Sequence, residues 1–158
     1  MIPNLTIRTK EERDALLALL SDMSQEVFSS NDPSLLNATT EYEKYPWFKD
    51  IKLFVDSFKK RDLEPRACAQ EIKELSDYLS DLEVAKMSLS FYPSDAFSKE
   101  IYDILSALSK DKVLIEFVLD ESVSLGAKLL YKGKYIDLGL QPRIVNLLKS
   151  EDVINKYL

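Results

Sequence analysis

The hydrophobic residues of this chain keep a helical spacing through the first part of the sequence and then change it, and this first change divides the sequence into two regions. In the first region they recur every three or four positions, as on one face of an α-helix. One such series is Leu16, Leu20, Met23 and Val27. From Ala85 to Phe91 they alternate with polar residues, which is typical of a strand with one buried face. The sequence therefore predicts a helical bundle at 1–82 and a small α+β region at 83–158.

Capping and proline signals place the helices of the first region. Thr9-Lys10-Glu11-Glu12 matches a capping box, in which a hydroxyl and a carboxylate bind the first free amides of a helix. Pro46 and Pro65 each stand where a first helical residue is expected, and Asp32-Pro33 indicates a further, short helix. We therefore expect three helices and a short one. Their predicted inward residues are Leu16, Leu20, Met23, Val27, Ile51, Phe54, Val55, Phe58, Ile72, Leu75, Leu79 and Leu82.

The second region alternates strand and helix signals, which predicts an α+β fold with a small mixed sheet. The predicted strands are Ala85–Phe91, Val113–Leu119, Ala127–Tyr131 and Lys134–Leu138. Lys132-Gly133 predicts a tight hairpin between the last two. Pro93-Ser94-Asp95 begins a helix, and Gln141-Pro142 precedes a last one. The residues expected to face inward on the first of these helices are Phe97, Ile101, Ile104, Leu105 and Leu108.

The chemically reactive residue types are scarce. The chain has no histidine, so the commonest general base and metal ligand is missing. Its one cysteine, Cys68, excludes an intramolecular disulfide, and flanking alanines predict a small buried side chain on a helix. The acidic pairs Asp120-Glu121 and Glu151-Asp152 are interpreted as helix caps or solvated charge; catalysis by them is the weaker alternative. We therefore expect no catalytic, cofactor-binding or metal-binding residues.

The charge balance argues against nucleic acid as a partner. The net charge is −6 and the isoelectric point is near 4.8, so the surface repels phosphate backbones. Basic patches at 59–61 and 128–134 are interpreted as solvated charge, with contact to an anionic partner as the alternative. No apolar run approaches the roughly 18 residues of a membrane span, and the N-terminus lacks a secretory signal, so we expect a soluble protein without membrane insertion.

Two apolar groups allow two interpretations each. Tyr42, Tyr45, Trp47 and Phe48 crowd one short stretch before a helix. They are expected either to fill the core of the bundle or to form a binding patch. The stripe of the last helix, with Ile144, Leu147 and Leu148, either covers the sheet or receives a partner helix.

The stretch "VLDESVSLGAKLLYKGKYIDLGLQPRIVNLL", from Val118 to Leu148, contains all three glycines of the chain. This stretch, together with the preceding sequence from Glu71, resembles the δ subunit of bacterial F-type ATP synthases, called OSCP in mitochondria. The resemblance is carried by residues that follow one another in the same order as in that family: Asp120, Gly126, Gly133, Asp137 and Arg143. The resemblance covers about half of the chain. It departs from the family pattern at Leu125 and at Leu138-Gly139, and the helical region is shorter than in the family.

The resemblance implies a non-catalytic connector in the peripheral stalk, which keeps the catalytic head from rotating with the rotor. The implied partners are N-terminal helices of the α subunits, on the helical region, and C-terminal helices of the b subunits, on the α+β region. The expected contact residues are Trp47, Phe48, Ile51, Ile144, Leu147 and Leu148. The implied location is the cytoplasmic side of the inner membrane, as a peripheral part of a proton-transporting complex.

Other interpretations stay open at this point. The chain could be a free-standing protein-binding adaptor with the same fold, a subunit like the stator E subunit of V/A-type ATPases, or, ranked last, a small hydrolase that uses carboxylates. Asp120 and Asp137 are expected to accept turn or helix amides at strand ends, and Arg143 to form a salt bridge with an aspartate of the same domain.

Overall fold

The computed structural model of the protein describes residues 5–29, 42–108, 112–123 and 126–137. Within these ranges the elements are α1 (Lys10–Ser29), α2 (Phe48–Lys60), α3 (Pro65–Ser80), β1 (Glu83–Leu89), α4 (Asp95–Leu108), β2 (Val113–Leu119), β3 (Ala127–Tyr131) and β4 (Lys134–Asp137). The predicted α+β class is confirmed. The chain divides into two compact units, Met1–Glu83 and Val84–Leu158. The helices predicted at Asp32-Pro33 and after Pro142 lie outside the described residues.

The predicted capping box begins α1. The Thr9 hydroxyl accepts a hydrogen bond from the backbone N–H of Glu12 at 3.2 Å, and the Glu12 carboxylate accepts one from the N–H of Thr9 at 3.2 Å. The same carboxylate oxygen accepts the N–H of Arg8 at 2.7 Å. These bonds satisfy amides that have no partner inside the helix, so the helix begins here.

The two proline signals have different outcomes. Pro65 is the first residue of α3, as predicted, because the extended Glu64 before it leads into the helix. α2 instead begins at Phe48, so the prediction of Pro46 as a first helical residue is wrong. Its physical reason is a turn, in which Phe48 N–H donates to the carbonyl of Tyr45 at 3.1 Å and Tyr45 N–H donates to that of Tyr42 at 3.0 Å.

The predicted stripes lie in the core of the helical unit, together with Leu5, Ile7, Leu19, Trp47 and Cys68. All of the predicted inward residues from Leu16 to Leu79 are buried, and α1 packs against α3. Leu82 is only half-buried, because it follows the end of α3. Burial of one such large apolar side chain contributes about 1.5–3 kcal/mol to folding. A bidentate ion pair between Arg61 and Glu71, at 2.7 and 2.9 Å, connects the end of α2 to α3.

The α+β unit contains a mixed sheet with the strand order β2-β1-β3-β4. β1 and β2 are parallel neighbours joined through α4, whereas β1–β3 and β3–β4 are antiparallel. The register pairs Met87 with Leu129 and Leu129 with Ile136. One face of the sheet is covered by α4 and forms the buried core of this unit. Its strand residues are Ala85, Met87, Leu89, Val113, Ile115 and Leu129, and Phe97, Ile101 and Leu105 of α4 pack against them.

Two predicted inward residues of this unit are exposed. Phe91 lies two residues beyond the end of β1, so no strand pairing holds it on the buried face. Ile104 lies at the border of the α4 stripe, whose inner side chains are Phe97, Ile101 and Leu105. Leu108 ends α4, but its side chain is outside the described set, as is Leu138, the predicted end of β4.

The predicted hairpin joins β3 to β4. Lys132 has φ of 49° and Gly133 has φ of 73°, and positive φ at both central residues is the mark of a type I′ turn. Gly126, just before β3, also has a positive φ, of 106°. At Gly126 the backbone freedom of glycine is required, because residues with a side chain adopt such a positive φ only at a cost in energy. Among the described helices, none combines the length and apolar composition that crossing a bilayer requires.

Candidate interaction surface

The aromatic residues before α2 form a stacked group. The rings of Tyr45 and Trp47 lie 5.1 Å apart at an interplanar angle of 9°, and the Tyr42 ring lies 6.1 Å from that of Trp47. Trp47 and Ile51 are completely buried, which places them in the core rather than on a surface that a partner could contact. Phe48 is half-buried. Of the contact residues expected on the helical unit, only Phe48 therefore offers part of its side chain to a partner.

Asp120 holds the end of β2, as expected for an aspartate that accepts turn amides. Its carboxylate accepts hydrogen bonds from the backbone N–H of Ser122 at 2.9 Å and from the Ser122 hydroxyl at 2.6 Å. Its own N–H donates to the carbonyl of Leu89 at 2.7 Å, which links the ends of β1 and β2. The bonds from Ser122 lower the pKa of Asp120, because they stabilise the charged form. This aspartate is therefore a structural residue.

The other motif residues occupy the β3–β4 hairpin. Gly126 precedes β3, Gly133 lies in the turn, and Asp137 is the exposed last residue of β4. Arg143 and its predicted salt bridge lie outside the described residues. The same holds for the expected contact residues Ile144, Leu147 and Leu148, so their roles stay predictions.

The hairpin carries an exposed apolar surface that the sequence analysis did not identify. Leu130, Tyr135 and Ile136 are exposed by 43%, 60% and 46%, and we call the Leu130–Tyr135 pair the hairpin surface. Leu130 and Tyr135 are direct cross-strand partners, so their side chains lie on the same face of the sheet. Ile136 pairs with Leu129 and lies on the opposite face, which carries α4. The signal in the sequence was the adjacent apolar residues Tyr135 and Ile136 in the predicted last strand, because adjacent side chains of a strand point to opposite faces of the sheet.

The strand order places β4 at the edge of the sheet described. Tyr131 and Lys134 flank the turn as a hydrogen-bonded pair in a two-residue hairpin, so the next residue, Tyr135, directs its backbone groups away from β3. An edge strand with exposed apolar side chains is typical of a surface that binds another protein. The hairpin surface therefore has the apolar character and the sheet-edge position that a protein contact requires.

The pKa shifts of two further ionisable groups have local structural causes. Burial raises the pKa of the Cys68 thiol, and the hydrogen bond from Arg61 lowers the pKa of Glu71. The Cys68 side chain is buried on α3, as predicted. In the parts of the chain that the structure describes, no group of three cysteine, aspartate or glutamate side chains is arranged to hold a metal ion.

Neither a scan against protein-family models nor a search of curated proteins finds a match for this chain.

Proposed function

We propose that the chain is a connector subunit in the peripheral stalk of an F-type ATP synthase. It joins the catalytic head to the b subunits, so that the head does not turn with the rotor, and it catalyses no reaction itself. The observation that supports this best is where the motif residues lie in the fold. Asp120 accepts the backbone N–H of Ser122 in the turn after β2, and Gly126 and Gly133 adopt a positive φ before β3 and in the hairpin.

The two-unit organisation also supports the proposal. A connector must hold two partners at once, and one helical and one α+β unit provide separate surfaces for them. Interfaces of ordinary size resist torque together, because linked contacts act at a high effective concentration. In this proposal the helical unit binds N-terminal helices of the α subunits, and the complex lies at the cytoplasmic side of the inner membrane.

The hairpin surface is the proposed contact for the b subunits. Leu130 and Tyr135 form an apolar pair on one face, and a large aromatic side chain is a frequent anchor in protein interfaces. Lys134, Tyr135, Ile136 and Asp137 are all exposed, so a partner helix reaches β4 without moving another described element. A helix from a b subunit would place its apolar side chains over this pair.

The test uses the full chain and two peptides from the same genome, the C-terminal segment of the b subunit and the N-terminal segment of the α subunit. Isothermal titration calorimetry should show that both bind and that neither displaces the other. Tyr135→Asp should weaken binding of the b-subunit peptide by about tenfold or more, because it places a charge in an apolar contact. Binding of the α-subunit peptide should not change.

Tyr92→Asp is the matched control, because Tyr92 is an exposed aromatic residue of the same unit outside the hairpin. It should leave both affinities unchanged, and circular dichroism should show both variants folded. If the chain binds neither peptide, the stalk assignment is wrong. If Tyr92→Asp weakens binding as much as Tyr135→Asp does, the hairpin surface is not the b-subunit contact.

A further inference from the structure

The helix α2 differs in charge from the other described helices. It contains four lysines and two aspartates, whereas acidic residues outnumber basic ones in α1, α3 and α4. The whole chain carries a net charge of −6, so the residues outside α2 together carry −8. α2 is therefore a local basic element in an acidic protein.

The lysines of α2 surround one exposed leucine. Lys49, Lys52, Lys59 and Lys60 are all exposed, and Leu53 is 67% exposed. Leu53 is four residues after Lys49 and seven before Lys60, so all three lie along one line of the helix surface. Leu53 is also the one large exposed hydrophobic residue among the described residues of the helical unit. We call these five residues the α2 stripe.

The requirements of the helix do not account for the stripe. Lys59 and Lys60 lie in the last turn, where positive charge stabilises a helix, but Lys49 lies in the first turn, where it is unfavourable. The four ammonium groups make no ion pair with a residue that the structure describes. Asp50 on the same helix accepts the backbone N–H of Thr6 at 3.3 Å, and Asp56 is half-buried between the lysines.

We propose that the α2 stripe binds an acidic amphipathic helix of a partner protein. The line from Lys49 to Lys60 is about 16 Å long, which matches three turns of a helix. Acidic residues at the same spacing would face the lysines, and an apolar residue between them would cover Leu53. Nucleic acids and lipid surfaces are less suitable, because an extended anionic partner would also meet the acidic remainder of the chain.

This inference does not depend on the stalk assignment, because it rests on α2 alone. The probe is a labelled helical peptide of about sixteen residues, with glutamates along one face and a central leucine. A second peptide has the reversed sequence, so that both chain directions are tested. Fluorescence anisotropy with the 158-residue chain should show binding of at least one of them, and the affinity should fall as salt is added.

The variant Lys49→Glu/Lys52→Glu should weaken this binding by about tenfold or more, and Leu53→Ser by a similar factor. The matched control is Lys73→Glu/Lys99→Glu, which changes the net charge equally on exposed positions of α3 and α4. It should have a much smaller effect. Circular dichroism checks that every variant is folded.

Three results would overturn the proposal. One is equal affinity for peptides with glutamine in place of glutamate, and another is equal weakening by the control variant. The third is binding to phosphatidylserine vesicles that needs Lys49 and Lys52 while neither peptide binds, since the stripe would then serve a membrane surface.

Discussion

Asp120 shows how one side chain can fix the end of a strand. Its carboxylate accepts the Ser122 hydroxyl at 2.6 Å and the Ser122 amide at 2.9 Å, and both bonds favour its charged form. Ser122→Ala removes the hydroxyl bond, and we expect the pKa of Asp120 to rise toward its ordinary value. Carboxyl titration by NMR measures this change. Ser76→Ala, in the helical unit, is the control, and an unchanged pKa in Ser122→Ala would contradict the assigned cause.

Cys68 gives a second prediction for a single residue. Its thiol is buried, and burial raises its pKa, so little reactive thiolate forms at neutral pH. We expect slow reaction with a disulfide reagent in the native protein and rapid, complete reaction after unfolding in guanidinium. The control is Ser80→Cys in a Cys68→Ala background, which places a thiol at an exposed position and should react at once. A fast reaction of native Cys68 would mean that α3 opens at this point.

At the scale of elements, the capping box determines where α1 begins. Thr9→Ala removes the hydroxyl that accepts the N–H of Glu12, and we expect a loss of about 1 kcal/mol in the free energy of unfolding. Urea denaturation of the purified protein measures this loss. Thr6→Ala is the matched control, because Thr6 is exposed and its hydrogen bond with a described residue, Asp50, is made by its backbone N–H, which the substitution keeps. Equal losses in the two variants would show that the cap is not the cause.

The type I′ turn predicts opposite effects at its two residues. Lys132 is a non-glycine residue with φ of 49°, a conformation that asparagine adopts more easily, so Lys132→Asn should stabilise the protein by a few tenths of a kcal/mol. Gly133 has φ of 73° in open space, so Gly133→Ala should cost about 1 kcal/mol through backbone strain rather than a clash. Thermal denaturation followed by circular dichroism measures both, and effects of the same sign would contradict this account.

The elements with a clear local signal were predicted well. β2 and β3 have the predicted bounds, and Lys132-Gly133 forms the predicted turn, because strand-forming residue types and turn chemistry are local properties. The prediction that Phe91 faces inward was wrong because the alternation in the sequence continues after strand pairing has ended. The prediction that Pro46 begins a helix was wrong because a proline can also occupy a turn, as it does here. The hairpin surface could not be identified from the sequence, because identifying it requires the strand order that places β4 at an edge. That order depends on pairing between residues far apart in the chain.

For the whole molecule, the lowered pKa values predict a loss of stability in acid. Glu71 and Asp120 bind protons more weakly in the folded chain than in the unfolded one, since Arg61 and Ser122 stabilise their charged forms. Their contribution to stability is therefore present above the unfolded pKa and is lost as pH falls through the folded pKa. Glu71→Gln should reduce the loss of stability on acidification, measured by thermal melts over a pH series.

Arg61→Gln should reduce the same dependence, because Glu71 then has no bidentate partner. If the two variants differ, with only Glu71→Gln affecting the acid transition, the ion pair is not the source of the pH dependence.

The position of β1 between β2 and β3 has a consequence for synthesis on the ribosome. Both neighbours of β1 are translated later, and β3 ends about 40 residues after β1 does. At about 5–20 residues per second, β1 emerges several seconds before its second neighbour exists. During that interval its alternating apolar side chains lack their β3 neighbour, so within the α+β unit β1 is a segment that a chaperone would protect.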